Sequence, residues 1–204
     1  MNNILFIKSS LNGEQSKSTQ LANQLVSKLA ANSQANSQAN AQVVERDLNT
    51  DALAHLTQAE MGAWMTDEND RSEEQQALAN VSDSLIGEVQ HADTLVVAIP
   101  MYNFGVPSNF KAWADRIARA GLTFKYTENG PVGLLENKKV YIVATRGGQY
   151  QGTPKDSQTQ FLKDFFAFVG LTDVEFIYAE GLNMADGEAS FNSAKESINQ
   201  LKAA

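Results

Sequence analysis

From Leu95 to Ile99 five apolar residues follow one another without a polar break, and Pro100 ends the run. Such a run, rich in β-branched side chains, is the pattern of a strand covered on both faces, which belongs inside a parallel sheet. Past Pro107, at a position suited to a helix's first turn, Phe110, Trp113, Ala114 and Ile117 recur at three- and four-residue spacing and predict a helix. Between the two elements hangs Met101-Tyr102-Asn103-Phe104-Gly105. A buried strand has no need of an Asn, a Tyr and an exposed Phe just past its carboxyl end, whereas a ligand crevice at that edge of a parallel sheet does. This turn is read as the floor of a binding site.

The alternation of strand and helix runs the length of the chain. Ile4 to Ile7 is a short buried strand, followed by the polar turn Lys8 to Ser18 and a helix carrying Leu21, Leu25 and Leu29. Asn32 to Gln42 repeats an Asn-Ser-Gln-Ala unit with no apolar side to bury, so it extends the connection and carries no expected function. Gln42 to Leu48 is a second strand. Asn49 to Asn69 is a long connection whose Met61, Trp64 and Met65 suit a cover. A helix is expected from Asp70 to His91 on the face of Ala77, Leu78, Val81, Leu85, Ile86 and Val89. Ala120-Gly121 ends the Trp113 helix, and Leu122 to Glu136 is an excursion at the rim of the sheet. Lys138 to Thr145 is the fourth strand, ending in Arg146-Gly147-Gly148-Gln149-Tyr150, where two glycines let the backbone turn sharply. Ser157 with Gln160 has the form of a capping box for a helix bearing Phe161, Phe165, Phe166 and Val169 and closed by Gly170. Val174 to Ala179 is the fifth strand, and Phe191, Ala194, Ile198 and Leu201 mark the last helix. Five such units with right-handed crossovers give an α/β, doubly wound five-stranded parallel sheet, order 2-1-3-4-5, with helices on both faces.

Composition sets the outer limits. The 204 residues, 43% apolar and without a long linker, fit one domain over 1–204. A net charge of -8 repels nucleic acid and anionic membrane alike, so neither is an expected partner. The absence of Cys removes disulfides, thiolate catalysis, Fe–S clusters and Cys-ligated zinc. The first apolar run is too short for a signal peptide or a membrane span, and a cytoplasmic location is expected.

In the order 2-1-3-4-5 the chain reverses direction between strands 1 and 3, and a crevice opens there. The turns meeting at it are Ser10 to Ser18, Met101 to Phe104 and Thr145 to Gly148. They offer hydroxyls, an amide, glycine backbone and aromatic rings, with no carboxylate pair, His or Cys, so no metal site is expected. Ser16 and Ser18 lie at a helix start, where free N–H groups and the helix dipole favour a phosphate; the same serines would also serve as plain helix caps. Gly13 is not followed by Gly-Lys-Ser/Thr, and no Gly-x-Gly-x-x-Gly fingerprint follows the first strand.

Ser9-Ser10, Ser16-Lys17-Ser18, Met101-Tyr102-Asn103-Phe104, Ala118-Arg119-Ala120-Gly121-x-Thr123-Phe124, Tyr126-Thr127-Glu128-Asn129-Gly130-Pro131 and Thr145-Arg146-Gly147-Gly148 resemble the FMN-dependent NADH-azoreductase/quinone reductase family, of flavodoxin-like fold. The resemblance covers nearly the whole chain. It implies a cytoplasmic homodimer with one FMN per subunit, passing two electrons from NADH or NADPH to quinones or azo compounds. By motif, Ser10, Ser16, Lys17 and Ser18 would contact the phosphate side of FMN, Met101, Tyr102, Asn103 and Phe104 the isoalloxazine and ribityl chain, and Thr145, Arg146, Gly147 and Gly148 the pyrimidine edge, chiefly through backbone N–H groups. Phe104, with Phe124 and Tyr126 contributed across the dimer, would wall the substrate pocket. The Asn-Ser-Gln-Ala insertion departs from the family pattern, as does Thr145 where serine is commoner.

Redox chemistry of this kind belongs to the cofactor, and the protein supplies binding, orientation and fixed dipoles, so no side chain is expected as acid, base or nucleophile. Hydride would pass from NAD(P)H to flavin N5, the nucleotide would leave, and the acceptor would stack on the same face, a ping-pong cycle. Azo cleavage to two amines needs four electrons, hence two cycles. The residues alone leave other readings open. Asn103 could cap the following loop, Phe104 could be core, and Phe124 and Tyr126 could be hairpin residues packing on their own subunit. Lys111 and Arg119 read as solvated charges or as attractors of an anionic nucleotide, His55 and His91 as ordinary surface residues, and Trp64 as core or lid. A flavin-holding electron carrier and a phosphodiesterase are the competing functions; the second lacks an activated nucleophile at the strand ends.

Overall fold

A computed structural model of the chain describes residues 3–37 and 41–201. Strands β1 (Asn3–Lys8), β2 (Gln42–Asp47), β3 (Thr94–Pro100), β6 (Lys139–Thr145) and β7 (Asp173–Ala179) form one sheet in the order β2-β1-β3-β6-β7, every pair parallel. This is the predicted order, with a two-stranded antiparallel hairpin, β4 (Phe124–Thr127) and β5 (Gly130–Gly133), inserted before the fourth sheet strand. Helices α1 (Lys17–Ser37) and α6 (Gly187–Gln200) cover one face; α3 (Glu73–His91), α4 (Ser108–Ile117) and α5 (Ser157–Phe168) cover the other.

β3 is buried at every position, and its side chains alternate between the two cores as the period of a strand requires. Leu95, Val97 and Ile99 join Phe110, Trp113, Leu162 and Phe166, while Val96 and Ala98 join Leu21, Leu25, Phe191 and Ile198. Each buried aliphatic or aromatic side chain contributes about 1.5–3 kcal/mol relative to exposure, so the central strand is anchored from above and below.

Several boundaries differ from the sequence reading. The connection from Asn49 to Asn69 holds a short helix, α2 (Gln58–Met65), opened by a capping box in which Thr57 accepts from the Glu60 N–H and the Glu60 carboxylate accepts from the Thr57 N–H. The signal was present as Thr57-Gln58-Ala59-Glu60. A second capping box, Ser72 with Gln75, starts α3 at Glu73 rather than Asp70. The cap of α5 is Asp156, whose carboxylate accepts from the Thr159 N–H, so Ser157 is the first helical residue and makes no box with Gln160. Helix α4 ends at Ile117, short of Ala120-Gly121, because Ala118 leaves the helical region. Pro107 is its N-cap. Helix α1 continues through Ser37, so the Asn-Ser-Gln-Ala stretch begins inside a helix and runs on beyond the described residues.

α2 is held by a buried ion pair. Arg116 of α4 meets Glu60 through two hydrogen bonds of 2.9 Å, and its remaining donors go to the carbonyls of Ala54 and Ala112. Arg119 pairs with Asp83 and lies over the Trp64 ring, so neither arginine is the free surface cation that sequence permits. The hairpin docks on the end of α5 by backbone contact. A Cβ on Gly133 would stand 2.0 Å from the Gly170 nitrogen, and one on Gly170 would stand 2.5 Å from the Leu135 carbonyl oxygen. Gly170 also needs its positive φ of 100° to let its own N–H and that of Leu171 close the helix. Glu60→Gln, which leaves the buried Arg116 guanidinium without its counter-charge, is expected to cost about 3–5 kcal/mol in urea unfolding. A loss under 1 kcal/mol would show that the pair does not hold α2.

Candidate functional site

The connections that leave the carboxyl edge of β1, β3 and β6 wall a cleft of about 790 Å³, within the size range of small-molecule sites. Ser10, Ser16 and Lys17 line it from the first connection, Met101 and Tyr102 from the second, and Thr145, Arg146 and Gly147 from the third. Ser18 lies beneath, its hydroxyl bonded to that of Ser16 at 2.9 Å. The three turns predicted to meet do meet.

At one end is the start of α1. The N–H groups of Lys17, Ser18 and Thr19 have no acceptor among the described residues, as the first turn of a helix requires, and two buried hydroxyls stand beside them. Positive dipole, free N–H groups and hydroxyls together make an anion site. The ammonium groups of Lys17 and Lys195 stand 4.4 and 4.6 Å from the centroid of the Phe191 ring, giving this end local positive charge in an acidic chain, with Glu188 across from them. Lys8 takes another role. Burial pushes its ammonium down, but hydrogen bonds to Glu14 and Glu45 outweigh that and raise it above the usual lysine value, so it clamps the Gly13–Gln15 turn rather than facing the cleft.

The second turn is tied to the first. Tyr102 Oη accepts from the Leu11 N–H at 3.1 Å and lies 3.3 Å from Ser10 Oγ, while Asn109 Nδ2 donates to the Ser9 carbonyl. Tyr102 and Gly105 exchange both backbone hydrogen bonds, with Asn103 and Phe104 at φ of 49° and 68° between them. This is a two-residue hairpin loop with positive φ at both positions, the type I′ form. Asn tolerates that region, whereas an aromatic residue there is strained. The N–H groups of both residues and the Asn103 amide have no partner among the described residues. Asn103 faces a second hollow of about 690 Å³ with His55, Lys111 and Phe161, and Phe104 is 48% exposed, its ring edge-on to Tyr150. Neither they nor Gly148 line the main cleft, and the Asn103–Phe104 tip is a ridge beside it.

The third turn departs from expectation in one respect. The Arg146 side chain is wholly buried, bonded to Asp156, Glu180 and Thr159 at 2.8, 2.9 and 2.7 Å and stacked over Tyr178, so it turns away from any ligand. What the turn offers the cleft is backbone. The carbonyls of Arg146, Gly147 and Gly148 accept from Leu182, Asn183 and Gly181, while the N–H groups of Gly147 and Gly148 have no acceptor among the described residues. A Cβ on Gly147 would fall 2.5 Å from Asn183 Nδ2. Burial pushes the Asp156 carboxyl up, but the Arg146 guanidinium and the Thr159 N–H outweigh it and hold the group below its ordinary value.

Phe124 is buried against Phe168 and Tyr126 of its own chain, and Tyr126 is 74% exposed; neither reaches the cleft of the same subunit. Lys111 pairs with Asp115, and His91 Nδ1 lies against the Gly87 carbonyl. Sequence reasoning missed the fourth wall, Leu182, Asn183, Phe191, Asn192 and Lys195. Those residues follow β7, and the same carboxyl-edge rule that found the other turns applies to them.

Among known proteins, the flavodoxin-like fold family matches residues 2–201. An FMN-dependent NADH:quinone oxidoreductase of Alteromonas mediterranea is 50% identical over 203 residues, covering 98% of each chain. One of Cellvibrio japonicus is 50% identical over 204 residues, covering all of both. The chain belongs to this flavodoxin-like family. An azoreductase structure from Bacillus anthracis superposes with a TM-score of 0.84 at 28% identity, covering 98% of this chain and all of that one.

The cleft's donor set fits the cofactor in the relatives' name: an anion site at the α1 start, backbone N–H groups without acceptors among the described residues at the β6 turn, and at Gly147 a glycine whose Cβ would displace Asn183 from the cleft wall. No helix among the described residues is long and apolar enough to cross a membrane, and no metal-ligating group of side chains occurs among them.

Two outcomes follow from these geometries. Phe104→Gly is expected to leave stability within about 1 kcal/mol, because relief at φ 68° offsets the added freedom of the unfolded chain, whereas Phe104→Val loses about 2 kcal/mol or more. Urea midpoints of the two variants check the order. Because the Asp156 value is lowered on folding, its stabilisation is complete above the ordinary carboxylate range and is lost as pH falls through the lowered value. Asp156→Asn should therefore be less stable at neutral pH and show a flatter acid limb in a pH series of thermal melts.

Proposed function

We propose that the cleft holds one FMN per subunit and that the chain uses NADH to reduce quinones by two electrons and to cleave azo compounds to amines. The observation that carries the reading is the placement of the α1 start and the Gly147 turn at opposite ends of one cleft, with the Met101–Tyr102 segment between them. The names of the 50%-identical relatives support the cofactor, the donor and the quinone, and the B. anthracis neighbour supports the azo substrate.

When bound, FMN supplies the hydride-accepting and hydride-donating ring. Ser16, Ser18 and the N–H groups of Lys17 to Thr19 would hold the phosphate, with Lys17 as nearby countercharge. Ser10, Met101 and Tyr102 would back the ribityl chain and ring, and the Asn103 and Phe104 N–H groups with the Asn103 amide, on the ridge beside the cleft, would meet a ring edge that projects from it. The Gly147 N–H in the cleft, with the Gly148 N–H next to it, would serve the pyrimidine edge, where fixed donors stabilise the negative charge that accompanies reduction. Donor and acceptor use the same open face in turn, a ping-pong order, and Phe104 with the partner's copies of the exposed hairpin completes that face in a homodimer.

An absorption spectrum of the purified protein followed by anaerobic NADH tests the reading. A yellow protein that bleaches on NADH and recovers with a quinone is expected; a colourless protein that refuses added FMN overturns the cofactor, and FMN that does not bleach overturns the enzyme in favour of an electron carrier. The double variant Ser16→Ala/Ser18→Ala is expected to weaken FMN binding at least tenfold, since hydrogen bonds to a charged group contribute about 1.5–3 kcal/mol each. Unchanged affinity in a fluorescence titration sinks the phosphate assignment.

A further inference from the structure

We propose that Gln158 is a positioning residue that sets the spacing between the Tyr102–Gly105 turn and the Arg146–Gly148 turn, and so how tightly the site holds reduced relative to oxidised flavin. The flavin half of this rests on the cofactor reading above.

Gln158 lies in the first turn of α5 and is 0% exposed. Its Nε2 donates to the Pro100 carbonyl at 2.9 Å and to the Gly105 carbonyl at 3.3 Å, the two ends of the β3 turn. Its Oε1 accepts, at 3.4 Å, from Nε of Arg146 at the end of β6. A primary amide has two donors and one acceptor oxygen, and here all three are in use, so one side chain touches both turns. Burying an amide is unfavourable unless it is bonded, and these bonds are what offset it.

The residues flanking Gln158 act in the same direction. Ser157 Oγ donates to the Phe104 carbonyl, and Asp156 and Thr159 hold the Arg146 guanidinium. Four consecutive residues of one helix turn thus fix both turns to a common support. The need is physical. Asn103 and Phe104 keep a strained conformation only where the surroundings over-determine it, and their mutual exchange partner pair, Tyr102 with Gly105, fixes the turn's shape but not its distance from β6. A bound ring spanning the two turns meets N–H dipoles whose effect on developing charge depends on placement to about half an ångström. Loosening Gln158 therefore alters the reduced state more than the oxidised one.

The test compares Gln158→Leu and Ser157→Ala with the wild-type holoprotein. Gln158→Leu is expected to bind oxidised FMN within about threefold of wild type and to lose about tenfold more affinity for reduced than for oxidised FMN, lowering the two-electron midpoint potential by about 30 mV. Ser157→Ala, an exposed change that spares folding, should shift it in the same direction by less. Amide hydrogen exchange at Gly105 and Asn183, whose N–H groups are bonded to the Tyr102 and Gly147 carbonyls of the two turns, read on the apoprotein, should quicken in both variants. Equal loss of affinity for both redox states with unchanged exchange overturns the proposal, and should Gln158→Leu fail to fold, Ser157→Ala decides it. Wild-type protein that takes no FMN strikes the cofactor reading instead, and the exchange arm still judges whether Gln158 ties the turns.

Discussion

A parallel strand buried on both faces leaves its chain only one way to continue, outward past its carboxyl end and back over the sheet through a helix. β3 is such a strand, and with β1 and β6 on either side it delivers three connections to one edge of the sheet. The main cleft sits where those connections emerge. The strands are apolar and interchangeable in kind; the turns are polar and individual, because they alone are free of the packing constraint. That division explains how a sheet with two sealed cores can carry a cleft lined by hydroxyls, amides and free backbone donors.

The charge distribution repeats the division. The chain as a whole carries -8, yet Lys17 and Lys195 converge on Phe191 at the anion end of the cleft. Other cations are consumed internally: Lys8 by Glu14 and Glu45, Arg116 by Glu60, Arg146 by Asp156 and Glu180. The pairs of Lys8 and Arg146 stand at the turns beside the cleft and fix backbone there, while that of Arg116 holds α2, so the cleft receives polarity from main-chain N–H groups that cannot rotate away. Fixed dipoles of this kind stabilise charge without reorganising.

Sheet order, helix faces and the three turns were legible because hydrophobic period and turn chemistry are local properties. Leu95 to Ile99 announces itself within a few residues, and so do Ser16 to Ser18. What escaped depends on partners distant in sequence. Nothing near Arg146 shows that its guanidinium points inward, since its carboxylates are 10 and 34 residues away. The α6 wall was hidden because Phe191 and Lys195 read as an ordinary amphipathic helix, and only packing of α6 beside α1 brings them to the cleft. α2 was overlooked although Thr57 and Glu60 spelled its cap, because an eight-residue helix has too little period to register. The α5 cap went to Ser157 for a similar reason: Asp156 and Ser157 are both good caps, and the ion pair with Arg146 decides between them.

The glycine pair where the hairpin meets α5 has a bearing on descent. Gly133 and Gly170 touch main chain to main chain, so neither can acquire any side chain while the other segment stays put. No single codon change at either site leads to a tolerable neighbour, and no compensating exchange at the opposite one opens room, since the obstacle is peptide rather than a replaceable group. The hairpin can therefore accept new side chains at its tip, Glu128 and Asn129, but not at its root.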